Sequence, residues 1–292
     1  MIIPHIKMLV NSAVLVLFLS ITSSDILLNK SRRARTIPYN CIEAVRAAGS
    51  KAKSGIYQIQ LPLEGWTHRP FYVYCLLDGN GGDPWLLLQR RQDKDINFYR
   101  NWTDYKIGFG NLETSFFIGL DLLHALTQVQ FNELQIELHD FNDTVMYANY
   151  DSFAVGDEYE KYALNIVGKY SGSAGDGAFH NHRGQSFSTY DRDNDRWWDG
   201  NCAGKYKGGW WYNTCHWSCL NGEYIIGTNN EEGKGIIWKT WHGAFYSLKY
   251  THMAIRPIYS AEMREHGGRN RTNEAHWCKK RTHRCKKRIN KG

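Results

Sequence analysis

Past residue 24 the chain lacks any apolar run approaching the roughly 20 residues that a bilayer-spanning helix needs, which excludes a membrane-spanning body. It has no heptads and no Gly-X-Y repeats, so it has neither a coiled-coil nor a collagen-like stalk. G-x-S-x-G, H-E-x-x-H and the phosphate loop are all missing, and with them the signatures of serine hydrolases, zinc proteases and nucleotide enzymes. Twelve histidines in 292 residues need no catalytic explanation, and without a nucleophile or acid–base motif the expectation is a protein that is not an enzyme. Uniform positive charge is lacking as well. The net charge is +7, but residues 261–292 hold eleven Lys/Arg against three acidic residues and residues 1–35 five against one, which leaves 36–260 at −5. A mildly acidic body with a basic tail is not the footprint of a nucleic-acid binder.

What is present points outside the cell. Residues 1–24 run from Lys7 through the apolar "MLVNSAVLVLFLSI" to the small polar "TSS", the order of a secretory signal peptide, and the apolar run is too short to span. A polar, basic linker follows over 25–37, and its "RRAR" (Arg32–Arg35) resembles a minimal processing site or is an uncut charged linker. N-x-S/T sequons stand at Asn29, Asn101, Asn142 and Asn270. Seven cysteines fit an oxidising compartment. Their odd number leaves at least one thiol free or pairing between chains, which would make a homo-oligomer.

The region 38–260 is aromatic-rich and punctuated by glycine. "GIYQIQL" (Gly55–Leu61), "FYVYCLL" (Phe71–Leu77) and "PWLLLQRR" (Pro84–Arg91) read as short strands. The alternation from Gln130 to Val155 reads as two or three more. "YNCIEAVRAAG" (Tyr39–Gly49) and "TSFFIGLDLLHALTQ" (Thr114–Gln128) carry a helical period. The class is α+β with an antiparallel sheet. The second half is denser in Gly, Asn, Asp and Trp and poorer in periodicity, so it needs staples such as disulfides or metal.

"DRDNDRWWDGNC" (Asp191–Cys202) places three aspartates at alternate positions. The plain reading is a solvated acidic turn. The sharper one is a cation site, because calcium takes six to eight hard oxygen ligands that such a loop supplies on one side. It is no EF-hand: the sixth position is Arg196 instead of glycine and the twelfth Cys202 instead of glutamate. Zinc prefers His and Cys, and outside the cell calcium is the better candidate.

These motifs taken in order, with "GNCAG", "GGWWYNTCHWSCLNGEY" and "GIIWKTWHGAFYSLKYTHMAIRP", resemble the fibrinogen-related (fibrinogen C-terminal) domain that ficolins, tachylectins and angiopoietins share. The resemblance covers nearly all of 38–257. It implies a small N-terminal part stapled by Cys41–Cys75, a central antiparallel sheet, and a loop-rich, calcium-binding C-terminal part with a Cys202–Cys215 bridge. By position the resemblance makes Asp193 and Asp195 the carboxylate ligands and Asp191 a turn or capping residue. The step from Asp195 to Cys202 is one residue longer than is usual in the family, so the carbonyl ligands fall on Trp197 with Asp199 or Gly200. Beside the calcium, lectin-like members hold acetyl groups of sugars in an aromatic cup, and the peptide matching Thr214–Cys215 is typically cis. Tyr206, Cys215 and His216 match cup positions, with Phe245 and Tyr246 as further wall. Glu232 stands where an aromatic is usual and Gly233 where a small residue is.

Cys219 replaces a residue that is usually polar; it is a buried thiol or a partner for Cys278 or Cys285, which could instead bridge each other. The tail 261–292 suits sulfated glycans or is a disordered solubilising segment. Two functions follow from the resemblance: a secreted lectin binding acetylated glycans in innate immune recognition, or a signalling or matrix ligand docking on a cell-surface receptor.

Overall fold

The structure, a computed structural model, describes residues 37–176 and 179–258. The expected signal segment, linker residues 25–36, the tail 261–292, Asn29, Asn270, Cys278 and Cys285 lie outside the described residues. No helix among the described residues is long and apolar enough to cross a membrane.

The chain opens on helix α1 (Cys41–Ala48), followed by strands β1 (Gly55–Ile59), β2 (Phe71–Leu76) and β3 (Trp85–Arg91). Helix α2 (Trp102–Ile107), the short strands β4 (Phe109–Gly110) and β5 (Phe116–Phe117), and helix α3 (Leu120–Val129) lead to β6 (Asn132–His139), β7 (Val145–Ala154), β8 (Ile166–Val167) and β9 (Tyr170–Gly172). Regular structure then thins to α4 (Cys202–Tyr206), β10 (Ser218–Cys219), β11 (Gly227–Thr228), β12 (Ile237–Trp238), α5 (Lys239–His242) and β13 (Tyr246–Ser247), before the long β14 (Tyr250–Pro257).

Ten of the described strands form one sheet: seven lie along the path β1-β2-β3-β14-β6-β7-β8, and β4, β5 and β9 pair beside it. Its pairings are antiparallel, and the last strand lies in the middle, between β3 and β6. Burial explains the patterns seen in sequence. β3 is buried at every position, its apolar run Trp85–Leu88 and the polar Gln89–Arg91 alike, while β6 alternates buried and half-buried side chains as one face meets the core. The helical period over Thr114–Gln128 is realised only from Leu120. Phe116 and Phe117, both 2% exposed, pair with β3 and β4 instead, because burial of two adjacent rings outweighs the local helical preference.

The N-terminal part is stapled as expected. Asn40 caps α1 by accepting from the Glu43 amide at 2.9 Å, and Cys41 in the first turn is bonded to Cys75 of β2. Asn101 does the same for α2, its side-chain oxygen accepting from the Asp104 amide at 2.8 Å. The sequon asparagine is therefore also a helix cap. Asn101→Gln should cost about 1 kcal/mol of stability, whereas Thr103→Ala, which removes the sequon and keeps the cap, should cost measurably less in the same denaturant titration. Equal losses would show that the cap contributes nothing. Asn142 is exposed in the turn joining β6 and β7.

The ligand-side half packs around Trp210, Trp211 and Trp238, all fully buried. Two of the indoles are satisfied: Trp211 Nε1 donates to the Tyr162 carbonyl at 2.8 Å and Trp238 Nε1 to Ala174 at 3.0 Å. Large buried rings thus supply the cohesion that two-residue strands cannot.

Candidate functional site

Two adjoining features make the site: the aspartate loop and a cleft. In the loop, Asp191 is a capping residue. Its Oδ1 accepts from Thr189 Oγ1 at 2.7 Å and from the Trp102 amide, at the start of α2, at 2.9 Å. Asp195 is wired into the loop through both oxygens, which accept from the amides of Trp197 and Cys202, each at 2.8 Å. Asp193 accepts from the Asp195 amide at 3.1 Å. Burial, and then the neighbouring Asp193 carboxylate, push the Asp195 carboxyl up to about 6, against the two amides that favour its anion.

Among the described residues no group of three or more His, Cys, Asp or Glu side chains is placed to hold a metal. A calcium ion here would therefore rest on two carboxylates plus carbonyl and water oxygens. The donor chemistry fits: hard oxygens only, with the Asp193 carboxylate close enough to raise the proton affinity of Asp195. Of the expected carbonyls, that of Trp197 accepts from the Gly200 amide at 3.2 Å, closing a turn. Asp199 is exposed. Gly200 is required by the same turn, since a Cβ there would lie 2.5 Å from the Trp197 ring.

The loop leads into α4, capped by Asn201, whose Oδ1 accepts from the Gly204 amide at 2.7 Å. Cys202, first residue of α4, is bonded to Cys215, and the Thr214–Cys215 peptide is cis. The Arg196 amide donates to the Asn213 carbonyl at 3.0 Å, which ties the aspartate loop to the segment leading into this peptide.

A cleft of about 350 Å³ opens here. Trp197, Tyr206, His216 and Trp217 give it aromatic walls; Lys205, Lys239, Glu232, Asn181, Asn213, Thr214 and Cys215 complete the lining. Tyr206 and His216 meet edge to face with centroids 4.4 Å apart. Gly233 backs them with φ +77°, and a Cβ there would stand 2.7 Å from Tyr206 and 3.1 Å from His216 Nε2, so only glycine leaves room for this pair.

Both ring nitrogens of His216 are buried, and among the described residues neither has a hydrogen-bond partner. Burial, then the charge of His182, hold its pKa down to about 3, so it is a neutral wall. His182 lies behind the cleft, fully buried. Its Nδ1–H donates to the Trp211 carbonyl at 2.7 Å, and Nε2 accepts from the Ser218 amide at 3.2 Å. Burial lowers its pKa to about 4.

The structure brings Tyr206, Cys215 and His216 together at the cleft and leaves Phe245 and Tyr246 out of its lining. Tyr246 is committed elsewhere: it pairs with Thr228, its ring stacks on His242 at 4.2 Å, and its hydroxyl accepts from the Phe141 amide at 2.9 Å. Phe245 is 49% exposed. Sequence reasoning missed Trp197 as a side chain, and Trp217, Lys205 and Lys239 altogether. Only the nearness of Lys205 to Tyr206 hinted at one of them. Cys219 is a free, buried thiol beside the Tyr212 hydroxyl, and burial pushes it up to about 11. Such a thiol is unreactive; Cys278 and Cys285, its candidate partners, lie outside the described residues.

An antiparallel sheet closed by its last strand, with a stapled loop-rich half carrying this cleft, defines a fibrinogen-type globe. The chain belongs to that family: residues 37–258 match the family model for the C-terminal globular domain of fibrinogen beta and gamma chains. It is 44% identical to human fibrinogen-like protein 1 over 218 residues, 70% of this chain and 68% of that one. It is 43% identical to Macaca fascicularis fibrinogen C domain-containing protein 1 over 199 residues, 66% of this chain, but spans only 45% of that relative's length. Among solved structures it resembles the fibrinogen-like globe domain of human ANGPTL2, with 38% identity, 75% of this chain and 99% of that one covered, and a TM-score of 0.69. It also resembles a lamprey fibrin D-dimer complexed with the peptide Gly-His-Arg-Pro-amide, with 32% identity, 85% and 86% coverage, and a TM-score of 0.66.

Proposed function

We propose that this chain is a secreted, non-enzymatic recognition protein that takes N-acetylated glycans in the cleft with calcium support. The observation that carries the reading is the junction at Trp197. Its backbone belongs to the aspartate loop and its side chain lines the cleft together with Tyr206 and His216. The cleft volume suits one or two sugar residues, and aromatic walls with a few convergent polar groups are what such sites use. Asp193 and Asp195, with carbonyls of Trp197 and of Asp199 or Gly200, would hold the calcium. Bound there, it neutralises the two carboxylates and stiffens the loop that carries the Trp197 wall.

A glycan array run with and without calcium tests the reading. N-acetylated sugars should be retained in calcium, and Tyr206→Ala should abolish the retention. If no glycan is retained, the lectin reading falls. The calcium site has its own test. In millimolar calcium the parent should gain about 1–2 kcal/mol over EDTA, as expected for a site of roughly 10⁻⁴–10⁻³ M. Asp193→Asn with Asp195→Asn should show no such gain. An unchanged response in the double variant would place the ion elsewhere.

A second reading, docking on a cell-surface receptor with the basic tail retaining the protein near sulfated glycans, is favoured by Trp198. This indole is 91% exposed, next to the Trp197 wall. The lamprey fibrin structure shows that a protein of this fold takes a peptide ligand. The array decides between them, since a receptor ligand would leave it blank.

A further inference from the structure

The cleft is charged in a way that neither the family match nor an acetyl-binding cup requires. Lys205 and Lys239 come from segments 34 positions apart and converge on one opening. Lys205 Nζ lies over two aromatic faces, 5.2 Å from the ring centres of Trp197 and of Tyr206. Lys239 Nζ lies 5.3 Å over Trp217. Among the described residues neither ammonium has a carboxylate within 4.0 Å, whereas nearby Lys234 is paired with Glu231. Glu232 is the only carboxylate in the lining and it too is unpaired among the described residues. The cleft thus carries one net positive charge although 36–260 as a whole is at −5.

A ring face under each ammonium holds the lysine stem across the wall instead of letting it extend into solvent. It supplies no acceptor oxygen, so the ammonium keeps its donors for a ligand. An anionic group entering between the two would gain charge-assisted hydrogen bonds without breaking an existing ion pair. A neutral sugar would find the Trp197 and Trp217 faces partly covered and would gain less.

We propose that the cleft selects N-acetylated sugars that also carry an acid group, carboxylate or sulfate, with Lys205 and Lys239 as the residues that set this preference. The inference rests on the lectin reading above. Glu232 restricts where the acid can sit, since a like charge close to it is repelled.

The test uses the full chain and three monosaccharides: neutral N-acetylglucosamine, N-acetylglucosamine 6-sulfate and N-acetylneuraminic acid. At low ionic strength at least one acidic sugar should bind about tenfold more tightly than the neutral one. The ratio should shrink as salt is raised and the screening length falls. In a Lys205→Gln, Lys239→Gln variant the ratio should approach one. The basic tail is present in both proteins, so its attraction for anions cancels in that comparison. Which acidic sugar shows the preference tells carboxylate from sulfate. Equal or weaker binding of both acids in the parent overturns the inference while leaving the lectin reading in place. A ratio that survives in the double variant removes the two lysines from it. If none of the three sugars binds, the lectin reading falls and this inference with it.

Discussion

Taking the protein from pH 6.5 towards pH 4 should destabilise it steeply, because three imidazoles are buried in the neutral form. Burial holds His182 and His252 down to about 4 and His216 to about 3. Their unfolded value is about 6.5, so above that pH neither state is protonated and these groups contribute no pH dependence. Below it the unfolded chain takes up protons that the folded chain refuses. Each histidine then costs on the order of 1.4 kcal/mol per pH unit until its folded pKa is reached. His216 is half-buried as a residue, but its ring nitrogens are wholly shielded, and those are the atoms that would carry the proton. Asp195 works the other way: with its folded pKa raised to about 6, the folded state takes the proton first and recovers part of the loss. Denaturant midpoints at pH 7, 6 and 5 measure the slope. His182→Gln should reduce it by between about one third and one half, since it removes one of three imidazole terms from a slope that Asp195 already offsets in part. A flat profile, or a slope untouched by that substitution, would mean that the imidazoles are protonated in the folded state.

The second large effect concerns a charge buried in the central sheet. Arg91 of β3 is 1% exposed and has no carboxylate partner among the described residues. Its Nη1 donates to the carbonyls of Leu220 at 3.0 Å and Gly222 at 2.7 Å, and its guanidinium lies 3.8 Å over the Phe98 ring. Burial lowers its pKa to about 10, which still leaves it charged at neutral pH. Gln89 reaches the same segment, donating to Leu220 at 3.0 Å and to Asn221 Oδ1 at 3.1 Å. Together they fasten the turn that follows β10 to the central sheet. Arg91→Leu would spare the cost of burying a charge but would leave the Gly222 carbonyl without its Arg91 donor, while Leu220 keeps the bond from Gln89. A net loss of about 1–3 kcal/mol is expected on this balance, read as a lower denaturant midpoint. Arg91→Lys should recover little, since a point donor cannot reproduce the planar fork. A leucine variant as stable as the parent would show that the desolvation cost is the larger quantity.

The long strands were legible because their patterns are simple: β6 alternates and β3 opens on the unbroken apolar run Trp85–Leu88. The place of β14 in the sheet was not, since nothing in "YTHMAIRP" tells a central strand from an edge one. The aspartates and cysteines of the site were legible through a recognisable order of motifs. The cleft's lysines and its Trp217 were not, because they meet through a region of two-residue strands where no periodicity relates one residue to another. The same lack of local pattern explains the misplacing of Phe245 and Tyr246. Neighbours in sequence at a loop end face different ways, and only pairing with Thr228 and stacking on His242 decided which way Tyr246 turned.

The central position of β14 also governs when this protein can fold. Until Tyr250–Pro257 has emerged during synthesis, β3 and β6 have no strand between them, and the two halves of the sheet remain separate. The α1–β2 staple can form early, since Cys41 and Cys75 are only 34 residues apart. The cleft, whose supporting loops hang between β9 and β14, cannot be completed until the domain is almost fully made. Pairing over such separations is slow and leaves strand edges open meanwhile. The nascent chain therefore passes through a long window in which the edge of β3 that β14 will cover, beginning with the apolar Trp85–Leu88, stands open to association with other chains.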